Sequence, residues 1–299
     1  MNYRWVISPD IVEIQTEILP LKGFAICKYN EEYNNFLLNF FNFYANYKYY
    51  FKIGEVKIPK EPNAKYQYYV LKNSTIYYIR KIGPVSFRFS YNLKKKTIIA
   101  NRLSLSIPFE LGQIWPIGLH LSNIIALDLL LEKNLLFIHG ASLEYDQKTI
   151  LIFSPSRTGK TLLVENLLKK GAKYISEDII LTDGEKVYLL PPNDHKFFNV
   201  NIKKLVNNSK KEAKINKLLF IIPEKIKNQF NVKNENTLIN LLKIYSKRIP
   251  YDNDKFIHAI LYFQNLNYVN LEKKCYDIIC RMIRNNEIII TSNPEKYFE

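Results

Sequence analysis

The stretch TILIFSPSRTGKTLLVENLL (residues 149–168) constrains the fold more than any other part of the chain. Its apolar start, 149–153, predicts a buried strand. A helix pattern continues to Lys170, and Gly171 is suited to end that helix. The loop between them closes with Gly-Lys-Thr at 159–161. Strand, loop and helix in this order are the context in which a loop of the form G-x-x-x-x-G-K-[ST], the Walker A pattern, binds phosphate.

Such a loop binds phosphate because successive backbone N–H groups point into one concavity at a helix N-terminus, where the helix dipole adds positive charge. Lys160 would reach the β- and γ-phosphates of a nucleotide, and Thr161 would place its hydroxyl on Mg²⁺. Serine replaces the first glycine at 154, and Arg157 either points outward or adds a second cation. The predicted nucleotide-binding residues are Ser154, Pro155, Ser156, Arg157, Thr158, Gly159, Lys160 and Thr161.

An acidic pair, Glu177-Asp178, interrupts the strand pattern that covers residues 173–183. In a parallel sheet this strand would bring the pair beside the loop. Adjacent carboxylates can divide their tasks, because one can accept the proton of an acceptor hydroxyl while the other helps to hold Mg²⁺. A solvated acidic turn is the alternative. His139, in the apolar strand pattern 135–145, completes the candidate site, and a hydrogen-bonded core histidine is its alternative.

The remaining sequence predicts a β-rich N-terminal region, residues 1–118, followed by a nucleotide-binding domain, residues 119–299. Two hairpins are indicated in the first region, one of them around Asn73-Ser74, together with a helix over 30–47. The second region opens with a helix from Leu119 to Lys133. Further predicted elements are a turn at Asp146-Gln147, a turn at Gly184, a strand over 217–222 and a helix over 271–285.

The chain carries a formal charge of +15, concentrated in residues 201–250, where 12 lysines and arginines face three glutamates. Such a surface attracts polyanions, but no nucleic-acid motif accompanies it, so a solvated lysine-rich face is favoured over nucleic-acid binding. Three cysteines without metal-ligand spacing fit a reducing compartment. With no signal-peptide pattern and no apolar run long enough to span a bilayer, we expect a cytoplasmic protein without a membrane partner.

The order Ile-His-Gly-Ala, Gly-Lys-Thr, helix, Gly-Ala and Ser-Glu-Asp over residues 135–192 resembles the HPr kinase/phosphorylase family. The resemblance extends to its relatives in biosynthesis of ribosomally made peptides such as lasso peptides, and to the nucleotide site of phosphoenolpyruvate carboxykinase. It implies an α/β fold with a P-loop nucleotide-binding core. By position, it implies Lys160 on the phosphates, Thr161 and Asp178 near the metal, Glu177 as catalytic base and His139 near the carboxylates.

Three departures from the family pattern stand out. Ser154 and Arg157 replace loop glycines, and Glu177 replaces aspartate, so its carboxylate reaches one methylene farther. The second family signature, L-E-x-R-G-x-G, is missing after the core. This argues against HPr itself as the substrate and against the phosphorylase half-reaction.

The leading hypothesis is an HPr-kinase-like serine kinase, a transferase that moves the γ-phosphoryl group of Mg-ATP or Mg-GTP to a hydroxyl of a peptide or protein. The alternatives are a nucleotide-binding accessory or regulatory protein without phosphotransfer and a small-molecule hydroxyl kinase. The acceptor, the choice between ATP and GTP, and homo-oligomerisation stay open at the level of sequence.

Overall fold

The computed structural model describes residues 50–53, 55–82, 85–100, 117–155, 158–177, 179–190, 212–224, 234–245 and 255–298. Of the sequence predictions, the helix over 30–47, half of the basic stretch 201–250, and three site residues lie outside these ranges: Ser156, Arg157 and Asp178. The described chain forms two compact units. One contains the described residues from 50 to 127 and from 255 to 268, and the other contains those from 128 to 245 and from 269 to 298. The division drawn from sequence after residue 118 stays a prediction.

The described strands are β1 (Tyr50–Ile53), β2 (Ala64–Tyr66), β3 (Tyr69–Lys72), β4 (Thr75–Ile82), β5 (Val85–Asn92), β6 (Thr97–Ala100), β7 (Leu136–His139), β8 (Ala141–Tyr145), β9 (Lys148–Phe153), β10 (Lys173–Ser176), β11 (Ile179–Thr182), β12 (Lys186–Tyr188), β13 (Glu212–Lys214), β14 (Lys217–Ile221) and β15 (Glu287–Thr291). The described helices are α1 (Ile117–Lys133), α2 (Lys160–Lys169), α3 (Glu235–Tyr245), α4 (Lys255–Phe263) and α5 (Tyr268–Arg284), and a 3₁₀ turn covers Glu295–Tyr297.

The first unit contains a six-stranded sheet in the order β1-β6-β5-β4-β3-β2. The hairpin predicted around Asn73-Ser74 is confirmed, since β3 and β4 pair directly across these two residues. Asn73 and Ser74 have φ values of 49° and 61°, which is the left-handed backbone that a two-residue turn needs to match the twist of its strands.

Aromatic packing forms the core of the first unit. Phe256 of α4 is fully buried, and its ring lies 5.6 Å from that of Tyr69, 5.0 Å from that of Phe89 and 6.0 Å from that of Tyr91. Burying a side chain of this size contributes about 1.5–3 kcal/mol to stability. These contacts hold α4 against a sheet whose sequence alternates large apolar and polar residues.

The second unit is built on two sheets. A five-stranded sheet has the order β10-β8-β9-β14-β15, and a four-stranded sheet has the order β13-β12-β11-β7. Strands β9, β14 and β15 are parallel, whereas β8 pairs antiparallel with both β9 and β10. Five consecutive buried residues in β14 reflect its place between two parallel neighbours in the interior of the sheet.

The chain passes from one sheet to the other at two adjacent points. The sequence patterns predicted single strands over 135–145 and 173–183, and both predictions are wrong in this respect. The first breaks at Gly140, between β7 and β8, and the second breaks after Ser176, between β10 and β11. Apolar residues dominate the strands on both sides of each break, so the hydrophobic pattern does not reveal the change of sheet.

Gly140 allows the first of these crossings because it has no side chain. A Cβ at this position would lie 2.6 Å from Ile180 Cδ1 and 3.0 Å from the Ile152 carbonyl oxygen. Both distances are shorter than ordinary contacts of a Cβ atom, so any larger residue here would require the Ile180 side chain and the backbone at Ile152 to shift.

Helix α2 ends as the sequence predicts. Gly171 has φ +96°, its N–H donates to the Leu168 carbonyl (3.1 Å), and the Ala172 N–H donates to the Leu167 carbonyl (3.0 Å). This pair of bonds is the Schellman motif, which satisfies the last carbonyls of a helix. None of the described helices combines the length and the apolar character needed to cross a bilayer.

Candidate functional site

The predicted strand, loop and helix are present as β9, residues 154–159 and α2. β9 is buried from residue 149 to its end at Phe153. Gly159 precedes α2 with φ +88°, and its carbonyl accepts the first helical bond from the Leu163 N–H (2.9 Å). Within the loop, Thr158 Oγ1 donates to the Pro155 carbonyl (2.8 Å). The glycine before the lysine is therefore required by the backbone, because left-handed φ is costly for any residue with a Cβ.

Ser154, which stands where the loop pattern has its first glycine, is only 1% exposed. Its position tolerates a small side chain, so the departure from the pattern does not prevent the loop from following β9. Within the described part of the chain, its hydroxyl has no hydrogen-bond partner. A buried hydroxyl with unused hydrogen-bonding capacity is uncommon, and its position at the start of the loop is consistent with a ligand-binding segment.

Lys160 and His139 contact each other. Lys160 is the first residue of α2 and is 8% exposed, and His139 is the last residue of β7. The distance from Lys160 Nζ to His139 Nε2 is 3.3 Å. An ammonium group has only donors, so Nε2 accepts this bond and the ring proton belongs on Nδ1. The structure therefore joins the predicted phosphate-binding lysine to the predicted histidine.

Thr161 and Glu177 form the second contact of the site. Thr161 Oγ1 donates a hydrogen bond of 3.1 Å to Glu177 Oε1, and Glu177 is 1% exposed. Asp178, the second acid, lies outside the described residues.

Glu177 reaches the loop by a route that differs from the one expected. We expected a parallel strand next to the loop to carry the acidic pair. β10, which ends one residue before Glu177, runs in the same direction as β9, but β8 lies between them. Because β9 and β10 end at the same edge of the sheet, the carboxylate and the loop still meet there.

A buried serine pair supports this edge and was missed by the sequence analysis. Ser142 Oγ and Ser176 Oγ lie 2.6 Å apart, and both residues are fully buried. They are paired across β8 and β10, where a bulge shifts the register between Tyr174 and Ser176. Ser176 directly precedes Glu177, so this hydrogen bond fixes the backbone from which the carboxylate extends. The position of a serine next to the acidic pair was the one signal available in the sequence.

The site thus brings together an ammonium, an imidazole, a hydroxyl and a carboxylate at the N-terminus of α2. A helix N-terminus favours negative ligands because its first N–H groups are unpaired and its dipole is positive there. Among the described residues, no group of three or more histidines, cysteines and acids is arranged to hold a metal ion.

The comparisons with known proteins leave the family open. No family model matches the chain, and no curated protein matches it. Among solved structures, one similar chain is the HPr(Ser) kinase/phosphatase from Coxiella burnetii, at 13% sequence identity and a TM-score of 0.26. The match covers 33% of this chain and 72% of that chain. A likeness of this size does not establish the family or the activity.

Proposed function

We propose that this protein is a Mg-nucleotide-dependent kinase that transfers a γ-phosphoryl group to a hydroxyl of a peptide or protein. One observation carries the proposal: at the N-terminus of α2, Lys160 contacts His139 and Thr161 contacts Glu177, at 3.3 Å and 3.1 Å. Lysine and threonine at the start of a helix that follows a buried strand are the groups that cradle nucleotide phosphates and their metal. Phosphoryl transfer also requires a group that holds Mg²⁺ or accepts the proton of the acceptor hydroxyl, and the neighbouring carboxylate can do either.

The phosphates would bind the backbone N–H groups of the loop and the first turn of α2, with Lys160 on the β- and γ-phosphates. Catalysis of phosphoryl transfer is mostly positioning and neutralisation of charge, so a fixed cation and oriented N–H groups account for most of it. The burial of Lys160 strengthens its field, because nearby charges are less screened than they would be in water.

The residues present fit a nucleotide-bound Mg²⁺. Thr161 and one carboxylate of the acidic pair would hold it through two oxygens, and phosphates and water would complete its shell. When bound, Mg²⁺ supplies neutralisation of the charge on the β- and γ-oxygens. The hydrogen bond between Thr161 and Glu177 shows that a hydroxyl and a carboxylate oxygen can approach the same point.

The chemical step would be an in-line displacement. The acceptor hydroxyl oxygen forms a bond to the γ-phosphorus, and the bond from that phosphorus to the β,γ-bridging oxygen breaks with its electron pair staying on the nucleoside diphosphate. The acceptor proton passes to the other carboxylate of the pair. This protein's share is to hold the two reactants in line and to receive the proton.

A serine of a peptide or protein is the proposed acceptor, as the family resemblance implies. The β-rich N-terminal region and the basic stretch 201–250 are proposed to recruit it, because a positively charged surface attracts acidic peptides. The alternatives differ in their product, since a small-molecule kinase would label a free metabolite and an accessory protein would bind nucleotide without transfer.

The test is transfer of label from γ-labelled ATP. The full chain is incubated with Mg²⁺, a lysate of the source organism and any peptide encoded beside its gene, in parallel with Lys160→Ala and Glu177→Gln. Lys169→Ala is the matched control, because Lys169 lies on the same helix but pairs with Glu165 at the surface. We expect label on one polypeptide, lost in both site variants and kept in the control.

Two other outcomes would replace the proposal. ATP binding that Lys160→Ala abolishes, without labelled product, would make the protein a nucleotide-binding module. Labelling of a small molecule, with free serine or a sugar competing, would make it a small-molecule kinase.

A further inference from the structure

We propose that Leu162 is the contact surface for the nucleoside: the bound nucleotide leaves the phosphate site past Gly159, and its sugar and base pack against the Leu162 side chain. This assigns a further binding residue to the proposed kinase site, and it rests on that proposed function.

Leu162 is an apolar residue on the polar side of α2. It is 58% exposed, whereas Val164 and Leu167, through which the helix packs on its unit, are buried. The residues three, four and seven positions further along share its face of the helix, and all of them are polar: Glu165, Asn166 and Lys169. Single exposed leucines are common on protein surfaces, so the position of Leu162 in the site decides what it indicates.

The first turn of α2 points in three directions, because successive helix residues are about 100° apart. Protein fills two of these directions. Lys160 contacts His139 at 3.3 Å. Thr161 contacts Glu177 at 3.1 Å. Leu162 takes the third direction and faces solvent.

The loop is open on the same side. Gly159 stands three residues before Leu162, and a Cβ on this glycine would meet no atom of the described chain within 4 Å. Helix side chains lean towards the N-terminus of their helix, so Leu162 covers the surface next to the loop and not the following turn. Its apolar atoms therefore border the open side of the phosphate site.

The nucleoside fits this side better than the acceptor does. In phosphoryl transfer the metal bridges the β- and γ-phosphates, and the acceptor attacks the γ-phosphorus. Glu177, the described carboxylate that can serve this end of the nucleotide, lies beside Thr161. We therefore place the γ-phosphate on the Thr161 side and the α-phosphate, which carries the sugar, on the side of Gly159 and Leu162. An aliphatic side chain suits a nucleoside, because ligand sites are lined mainly by apolar groups.

A comparison of ATP with inorganic tripolyphosphate separates the nucleoside contact from the phosphate contact. Each ligand is titrated with Mg²⁺ into the full chain by calorimetry. We expect Leu162→Ala to weaken ATP binding by about three- to tenfold, the effect of losing the partial burial of a leucine, and to leave tripolyphosphate binding unchanged. Val269→Ala is the matched control and should change neither affinity, because Val269 is a 64% exposed apolar residue near the start of another helix, α5.

Tryptophan fluorescence provides a second readout that does not depend on the alanine variant. Leu162→Trp offers a larger flat surface on which a base can stack. We expect ATP, and not tripolyphosphate, to change the emission of the added tryptophan, with an affinity for ATP at least equal to that of wild type. The wild-type chain, with its two native tryptophans, gives the background, and Val269→Trp should not respond to ATP.

Opposite results would overturn this assignment. Equal weakening of ATP and tripolyphosphate binding in Leu162→Ala would show that Leu162 acts on the phosphate loop. Unchanged ATP affinity in Leu162→Ala, with no response of Leu162→Trp, would place the nucleoside elsewhere and leave the kinase function standing. A raised KM for the acceptor at unchanged ATP affinity would assign Leu162 to the acceptor instead. Wild-type protein that binds neither ligand would remove the proposed function itself.

Discussion

His139 Nε2 lies 3.3 Å from Lys160 Nζ, and this contact joins the end of strand β7 to the start of helix α2. Because the ammonium can only donate, the contact fixes the neutral imidazole with its proton on Nδ1. We predict that nitrogen-15 NMR of His139 at neutral pH shows Nε2 as the unprotonated nitrogen. In Lys160→Met this preference should weaken, while the tautomer of His258, which stacks on Tyr268 in the first unit, stays unchanged. A protonated Nε2 in wild type would contradict the contact.

Gly159 and Gly171 allow a matched comparison of the two ends of one helix. Both have positive φ, +88° and +96°, and a Cβ on either would meet no atom within 4 Å. Alanine at each position should therefore cost about 1–2 kcal/mol of stability through backbone strain alone. We expect only Gly159→Ala to weaken nucleotide binding, measured by calorimetric titration, because only this glycine shapes the loop. Equal losses of affinity in both variants would show that general destabilisation is responsible.

Gly140→Ala should destabilise the second unit. The added methyl would lie 2.6 Å from Ile180 Cδ1 and 3.0 Å from a backbone oxygen, and overpacking of this kind costs about 1–3 kcal/mol. Chemical denaturation should give a lower midpoint with an unchanged slope. Gly140→Ser should lose a similar amount, since its Cβ meets the same atoms. Wild-type stability in both variants would mean that the two sheets can separate at this point at little cost.

Removing one hydroxyl of the buried serine pair should lower the stability more than the loss of a single oxygen atom suggests. Ser142→Ala or Ser176→Ala leaves the other hydroxyl buried without the partner it has at 2.6 Å, which costs about 1–3 kcal/mol. Removing both hydroxyls avoids that penalty, so the double variant should lose less than the sum of the singles. Denaturation of the four proteins measures this difference, and strict additivity would show that the two serines do not interact.

Part of the stability that the protein loses as pH rises above about 10.5 should depend on Lys217. The hydrogen bond that Lys217 donates to the Tyr297 hydroxyl, followed by its bond to Glu287, raises the pKa of Lys217 above its ordinary value of 10.5. A lysine whose pKa is raised by folding stabilises the folded state below its unfolded pKa, and this contribution is lost as pH rises through the folded pKa.

Lys217→Met should accordingly lower the free energy of unfolding by about 1.5–3 kcal/mol at pH 8, the range for hydrogen bonds to charged groups. The difference from wild type should persist to about pH 10.5 and shrink above it. Lys214→Met, an exposed lysine on β13, is the control. A difference that stays constant up to pH 12 would show that packing, not charge, is responsible.

The sequence predicts those parts of the site that depend on residues next to one another in the chain. The buried strand before the loop, the helix after it and the glycine that ends the helix all follow from local pattern, and the structure contains each of them. The hairpin at Asn73-Ser74 and the turn at Asp146-Gln147, where both residues have positive φ, are confirmed for the same reason. Glycine, asparagine and aspartate adopt positive φ more readily than other residues, so they indicate turns and helix ends from the sequence alone.

The pairing of sheets could not be predicted in the same way. Mainly apolar residues stand on both sides of each crossing in residues 135–145 and 173–183, so the hydrophobic pattern alone does not show that the chain leaves one sheet for the other. Gly140 marks the first crossing, but its role becomes clear only from the structure, in which Ile180 and Ile152 lie close to its Cα. The contact of Thr161 with Glu177 depends on those crossings. The roles of the two acids and of the loop residues stay predictions.

The two changes of sheet also bear on the order in which the protein folds. The contacts of the site span 21 residues between His139 and Lys160 and 16 between Thr161 and Glu177, whereas β9 pairs with β14 across 67 residues. Closing a short loop loses less chain entropy than closing a long one, and contacts of low sequence separation form faster. The contacts of the site therefore belong to the topologically local part of the second unit, and we expect them to form earlier in folding than the pairing of β9 with β14.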